Sequence, residues 1–432
     1  MGGLQPRRTP VRMAACGRRQ SLVLGMLVLS AAPALAAGKT KIPILSHQVA
    51  PRLEPSLRIP VESLGFQSPG PMAAIDRTSL ITLNFLDPGH LLFTFRAGGL
   101  LKRMPDCPQD DEDQNIRAVV VELPSGKVSA QTEWRMHDFG KYLWPLPDGR
   151  VLVRQRNQLF VTGTSLELQP YLQAGSRLRE IQVAADGKVL MVEIDRERHE
   201  PEEHRKLVDE ANKNGYSPPH EDVELAILRP DTKLLLAKSQ ARSPLHLPLI
   251  GDGFVEALPG QKDQYVLQFT PFKGDPKIFG KISSSCQPSA VVLDADKLSF
   301  LTCPAKGGDR EAVALNLQGE TLWQTTWDDR FIWPNYVYPE QGGRFAVGAL
   351  QLVHPILGGP DLENVAGERI QVIDAASGKL QLAVQATPVL GAGQNFSLTA
   401  DGRKFAVLRD GALEVYDLPP VSAPEPQQTA RK

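Results

Sequence analysis

The sequence predicts an all-β fold, a β-propeller of seven four-stranded blades, from three observations. Short apolar segments joined by tight turns recur along the chain. Two kinds of such hairpin alternate. One longer internal match repeats a turn, a tryptophan, a Trp-Pro pair and a glycine turn in the same order.

The clearest unit is FSLTADGRKFAVLRDGALEVYDL, residues 396–418, which reads as strand, turn at Asp401-Gly402, strand, turn at Asp410-Gly411, strand. Asp-Gly between apolar runs signals a tight turn, because glycine accepts positive φ and the aspartate side chain closes on the backbone. Six units precede it: ITLNFLDPGHLLFTF, YLWPLPDGRVLV, REIQVAADGKVLMVEI, VEALPGQKDQYVLQF, SAVVLDADKLSFLTC and WPNYVYPEQGGRFAV. A second hairpin type falls between them, as VVVELPSGKVSAQ, LFVTGTSLEL, LAILRPDTKLLLA, VALNLQGETLWQ and IQVIDAASGKLQLA. Two hairpins in series make one four-stranded unit. Such a unit cannot bury its faces alone, so copies stack around an axis. The uneven spacing leaves a β-sandwich followed by a second β-domain as the alternative.

The internal match sets TEWRMHDFGKYLWP beside TLWQTTWDDRFIWP. Each follows a turn glycine (Gly126, Gly319), carries a tryptophan (Trp134, Trp323), and reaches Trp-Pro ten residues later (Trp144-Pro145, Trp333-Pro334). In a propeller these segments connect an outer strand to the next inner strand, on one rim of the central channel. They would place His137, Asp138, Asp328, Asp329 and Arg330 on one face, with Trp144 and Trp333 entering inner strands. Aromatic residues beside charges suit recognition of a peptide or polar ligand. The alternative is that the tryptophans pack between blades and the charges are solvated.

ADGRKFAVLRDGALEVYDL resembles the inner three strands of a WD40-type blade. LNLQGETLW is similar to the quinoprotein repeat through Gly319 and Trp323, whereas DAASGKLQL has Leu382 at the tryptophan position. The chain as a whole resembles exported bacterial propeller proteins of no assigned activity, a likeness that implies architecture and no mechanism.

Residues 1–36 read as a signal peptide: Arg7, Arg8, Arg12, Arg18 and Arg19, a short apolar run, and a small-residue cleavage site at Ala34-Leu35-Ala36. The run is too short to span a bilayer. The protein is therefore expected to be exported, periplasmic or extracellular, soluble and monomeric. Cleavage would leave 43 basic against 49 acidic residues, which argues against a nucleic-acid partner. The remaining 396 residues exceed the ~250–300 that one compact core supports. Residues 37–75, rich in proline, form a leader that wraps the surface or adds a strand to the last sheet. Residues 76–418 form the propeller, and 419–432 a disordered tail. In the third unit, Pro201 and Gly215 bracket a short helical insertion over 202–214.

Of the cysteines beyond the cleavage site, Cys286 and Cys303 flank a hairpin and are expected to form a disulfide; two buried thiols are the alternative. Cys107 sits in an acidic turn. No metal is expected: His199 and His204 are spaced i, i+5, off one helical face, and the Asp-Gly aspartates serve the turns. No G-x-S-x-G, P-loop, dinucleotide fingerprint or C-x-x-C-H occurs, and the eight histidines show no triad spacing, so no catalytic residue and no cofactor is assigned. The function expected is a non-enzymatic scaffold binding an envelope protein or peptide. The alternative is a propeller-type hydrolase, lyase or quinoprotein with its site at the channel mouth.

Overall fold

The recurrent hairpins close into a ring. The computed structural model describes residues 44–45, 48–67, 80–97, 114–136, 141–195 except 177, 206, 209, 210, 213, 222–242, 248–304, 310–327, 336–354, 364–390 and 394–421. Their strands form seven antiparallel four-stranded blades: residues 82–136, 143–173, 178–242, 249–283, 289–327, 336–386, and 396–417 completed by 57–60. In every blade the chain starts at the axis and works outward. Innermost strands of neighbouring blades meet, as where Thr82 bridges Gln394 in parallel.

Each junction between blades holds its own apolar core. Leu92, Ile116, Val120 and Trp134 of the first blade pack on Tyr142, Leu143 and Val153 of the second. Phe345 and Val347 of the sixth pack on Trp323 and Leu301 of the fifth. At the last junction Ala406 and Leu413 of the seventh blade meet Leu83, Phe93 and Phe95 of the first. Sheets apolar on both faces explain strands that read as continuous apolar runs: Thr82–Asp87 and Arg344–Leu352 are buried along almost their whole length. Burying one large apolar side chain is worth about 1.5–3 kcal/mol, and a ring buries both faces of every blade. These seven sheets rule out the β-sandwich alternative.

The turns at Asp87, Asp148, Asp186 and Asp401 lie between first and second strands, whereas Asp410-Gly411 joins the second and third strands of the seventh blade. The Asp87, Asp148, Asp186 and Asp401 carboxylates each accept the backbone N–H two residues on, at 2.7–3.2 Å. Gly149 has φ +79°, and a Cβ there would come within 2.1 Å of the Leu86 carbonyl oxygen in the preceding blade. Gly411, at φ +71°, has open space around it instead.

The leader closes the ring. Leu57–Pro60 pairs antiparallel with the third strand of the seventh blade, Leu57 opposite Val415 and Pro60 opposite Ala412. Proline is tolerated there because this is an edge strand. A 3-10 turn, Val61–Leu64, then buries Val61 and Leu64, and Phe66 meets Phe93 and Phe95 edge-on at 5.5 and 5.1 Å. Upstream, Ile44–Leu45 adds a parallel fifth strand to the fifth blade, beside Gln324 and Thr325. The Gln48 amide then donates to Gly378 O and accepts from Leu380 N. The leader thus runs along the outer edge from the fifth blade to the seventh.

Three expectations need revision or placement. The fourth blade begins earlier than its sequence marker: its inner hairpin is Leu249–Ile250 with Gly253–Pro259, while VEALPGQKDQYVLQF spans its second and third strands. An inner strand of two residues gives no alternation to read. The short helix expected over 202–214 does not appear among the described elements, which are strands and one 3-10 turn. Of that insertion only Lys206, Asp209, Glu210 and Lys213 are described, each exposed with helical backbone. Cys107 and residues 422–432 lie outside the described residues. The Cys286–Cys303 disulfide is present, with Cα atoms 5.5 Å apart and 17 residues of separation; a closed loop of about this length contributes roughly 3 kcal/mol.

Two substitutions test this architecture by urea denaturation. Ile59→Ala should cost about 2–5 kcal/mol if the leader strand is part of the core; a change below about 0.5 kcal/mol would mean that closure does not depend on it. Gly149→Ala should cost about 1–3 kcal/mol more than Gly411→Ala, because strain and a backbone clash act together at 149. Equal effects would remove the inter-blade role of the turn.

Candidate functional site

Strand polarity divides the ring into two faces. First strands begin, and second strands end, on what is here termed the upper face; the tight first-to-second turns and the third-to-fourth turns lie on the lower one. The connections outside the described residues, at 68–79, 98–113, 137–140, 243–247, 305–309, 328–335, 355–363 and 391–393 and in the third-blade insertion, all leave and rejoin described strands on the upper face. The disulfide lies there too, tying the connection into the fifth blade to the end of that blade's second strand. Its neighbour Ser284 is buried, and its hydroxyl accepts from Cys303 N at 3.0 Å.

Of the site residues expected from sequence, only Trp144 is described. His137, Asp138, Asp328, Asp329, Arg330 and Trp333 lie outside the described residues. Trp144 stands in the inner strand Leu143–Pro145 at 3% exposure, packed with Leu146, Leu152 and Leu178 between the second and third blades. Its ring is therefore largely core. Trp134 and Trp323 are core residues as well, and Trp323 stacks on Phe345 at 6.1 Å while its indole N–H donates to Ala375 O.

The two matched connections nevertheless deliver their next described residues to one place. Lys141 ends the first and Tyr336 ends the second. The Lys141 ammonium lies 5.6 Å from the Tyr336 ring and 5.7 Å from the Trp144 ring. One amine thus bridges the second and sixth blades at the upper mouth of the channel. The Arg154 guanidinium lies 5.9 Å from the same Trp144 ring and donates to Arg179 O. Arg179 in turn pairs with Asp195 at 2.5 Å.

A chain of hydrogen bonds along the inner wall fixes both ends of this bridge. Tyr142, next to Lys141, donates its hydroxyl to Leu80 O at 2.7 Å and bonds Thr94. Thr94 bonds Thr82 at 2.7 Å, and Asn84 donates to Thr82. Gln394 then donates to Asn84 Oδ1 at 2.9 Å and to Leu83 O at 2.8 Å. Tyr336 completes the chain by donating to Gln394 Oε1 at 2.8 Å. Four consecutive blades are linked through side chains that are nearly all buried. Burial pushes the Tyr142 and Tyr336 phenols well above the usual tyrosine range, so both stay protonated donors.

Lys141 is exposed by surface area, yet protein surrounds it, and desolvation lowers its amine to about 8 against a partial opposing pull from Glu180. A side chain pointing along a narrow channel reconciles the two: solvent reaches it along the axis, while the walls deny it a full hydration shell. Aromatic faces return about 0.5–2 kcal/mol of that loss. Sequence reasoning missed Lys141, Tyr336, Glu180 and Gln394. The only available signal was position, since Lys141 and Tyr336 stand three residues from Trp144 and Trp333 respectively.

Among the described residues no group of three or more His, Cys, Asp or Glu side chains is placed to hold a metal ion. A cavity of about 80 Å³ lies away from the mouth, between the fifth and sixth blades, lined by Trp323, Phe345 and Leu301 and bordered by Gln48. It has room for a few waters.

Fold and wall together define a seven-bladed β-propeller with an aromatic and cationic upper mouth. No protein-family model matches the chain, and no curated protein matches it. Among solved structures it is similar to the acylaminoacyl peptidase of Pyrococcus horikoshii, at 11% identity over 80% of this chain and 52% of that one, with a TM-score of 0.50. It is also similar to the β-propeller domain of the Trilobed protease from Pyrococcus furiosus, at 9% identity over 79% of this chain and 96% of that one, with a TM-score of 0.43. The chain spans about half the length of the peptidases it matches. The likeness is one of fold.

The lowered Lys141 amine has a consequence for stability. The folded chain releases this proton near pH 8, whereas the unfolded chain holds it to about 10.5. Between those values the unfolded state binds more protons, so stability from this group rises with pH. The two phenols facing it are pushed up by burial and stay protonated in that window, and Glu180 and Arg154 are the charged groups beside it. The stability of the wild type relative to Lys141→Met should therefore increase between pH 7 and pH 10, read as urea midpoints. A pH-independent difference would show that Lys141 is not desolvated.

Proposed function

We propose that this protein is an exported, non-enzymatic propeller that receives a peptide or protein partner of the cell envelope on its upper face. The observation that carries this reading is the Lys141–Tyr336–Trp144 cluster at the channel mouth, on the face where the long connections converge. The lower face offers short turns whose aspartates are engaged by their own backbone. In this reading His137, Asp138, Asp328, Asp329, Arg330 and Trp333 border the same mouth, because their segments run directly into Lys141 and Tyr336. Trp144 supports the cluster from within the core. The signal-like residues 1–36 and the Cys286–Cys303 disulfide support export, since disulfides persist in oxidising compartments.

One observation favours a second reading. An amine lowered to about 8 suits proton transfer or nucleophilic attack near neutral pH, which would fit a propeller-type hydrolase or lyase. Recognition is preferred because the amine stands between two aromatic faces, an arrangement that suits holding a ligand.

Site-specific photocrosslinking in envelope extracts tests the proposal. A photoreactive residue at Asp328, on the upper face, should give a discrete adduct that Lys141→Glu abolishes in folded protein. The same residue at the exposed Arg150, on the lower face, should not give that adduct. Adducts from position 150 alone, or capture at 328 indifferent to Lys141→Glu, would overturn the assignment.

A further inference from the structure

We propose that the channel mouth binds a monocarboxylate with an apolar flank, such as the free C-terminus of a peptide, with Lys141 as the anchoring cation and the Tyr336 ring as the apolar wall. This rests on the upper face being the receptor face and names the chemistry of what it receives.

The first argument is the state of the amine. A crowded ammonium is costly unless an anion accompanies it. Among the described residues Lys141 makes no ion pair: its neighbours are two ring faces and the distant pull of Glu180, which has partners of its own. The nearby guanidiniums are engaged elsewhere: Arg154 lies over Trp144 and bonds Arg179 O, and Arg179 pairs with Asp195. An incoming carboxylate supplies the missing counter-charge.

The second argument is shape. Tyr336 is fixed through its hydroxyl by Gln394 and edge-on by Phe396 at 5.5 Å. Its ring, half-buried at the mouth, is free to face an apolar group next to the anion, at little entropic cost because it is held already. The third argument is the donor count. A phosphate calls for several converging donors, commonly forked guanidiniums or a run of backbone N–H groups. One ammonium, with the phenol already committed to Gln394, suits a singly charged carboxylate.

Above neutrality the pH dependence follows from Lys141, since burial pushes the Tyr142, Tyr336 and Tyr338 phenols up and keeps them protonated, and Glu180 and Arg154 are the charged groups beside it. The ammonium form binds, so affinity should be level between pH 7 and about 8 and fall about tenfold per pH unit well above it.

Isothermal titration of the full chain with three probes decides the matter: acetyl-Ala-Phe as the free acid, the same dipeptide as its C-terminal amide, and benzoate. The free acid should bind at least tenfold more tightly than the amide. Lys141→Met should weaken the acid at least tenfold, and Lys141→Arg should restore most of it in equally folded protein. Benzoate binding without dipeptide binding would keep the carboxylate site and make its source a small organic acid. Equal affinity for acid and amide, indifference to Lys141→Met, or no heat from any probe at millimolar concentration would overturn the inference. If crosslinking from position 328 survives that failure, only the ligand chemistry is wrong; if it fails as well, the receptor face falls with it.

Discussion

Everything in this fold depends on one edge pairing. A propeller blade is apolar on both faces, and a row of blades leaves two faces open unless the last meets the first. Here the last sheet has three strands of its own, and Leu57–Pro60 supplies the fourth from the other end of the chain. The pairing covers the backbone from Ala412 to Val415 and places Ile59, Val61 and Phe66 in the core between the seventh and first blades. Loss of that contact would uncover apolar surface on two blades, not one. The hydrogen bonds of Gln394 across the same junction, to Leu83 and Asn84, show how tightly the first and last blades are joined at the axis.

The two faces of the ring are built under different constraints. On the lower face, successive turns press against one another: Gly149 against Leu86, Gly187 against Pro147, and Gly342 against Asp401. A larger residue or a longer turn would clash there, so this face has little freedom to vary. The long second-to-third connections leave and rejoin described strands on the upper face, and the chain places its length there. The inner wall beneath is held by buried side-chain hydrogen bonds from Tyr142 to Tyr336. Long connections thus rise above a fixed polar wall, which is an arrangement that suits a receptor face.

The sequence disclosed what local chemistry writes and missed what the ring imposes. Six of the seven inner hairpins were legible, five of them because an Asp-Gly, Asp-Pro-Gly or Gly-Gly turn between apolar runs announces itself, and the fifth blade's from the weaker Asp294-Ala295-Asp296 turn. The fourth was misplaced because Leu249–Ile250 is too short to alternate, although Gly251-Asp252-Gly253 marks its turn. The disulfide was legible from the hairpin that its cysteines flank. The leader strand was only half legible: LRIP is short and ends in proline, and nothing local says that it pairs with residues more than 350 positions away. The site was legible as a rim and not as residues. Trp144 drew attention through its rarity but is largely core. Lys141 carries no motif at all, since its character comes from walls contributed by the second and sixth blades.

That character explains why a charged residue stands at a mouth walled by two blades. A methionine or leucine at 141 would fill the space without desolvation cost, and the neighbouring wall is already satisfied through Gln394. The amine adds nothing to that wall: among the described residues it makes no hydrogen bond to it, and its contacts are two ring faces at the outer limit of useful distance. A group that stability does not require, held in place by a wall that stability does require, is poised for something outside the chain. An anion arriving along the axis would find the ammonium already desolvated and the rings already oriented. The free energy withheld in the empty protein then becomes available on binding.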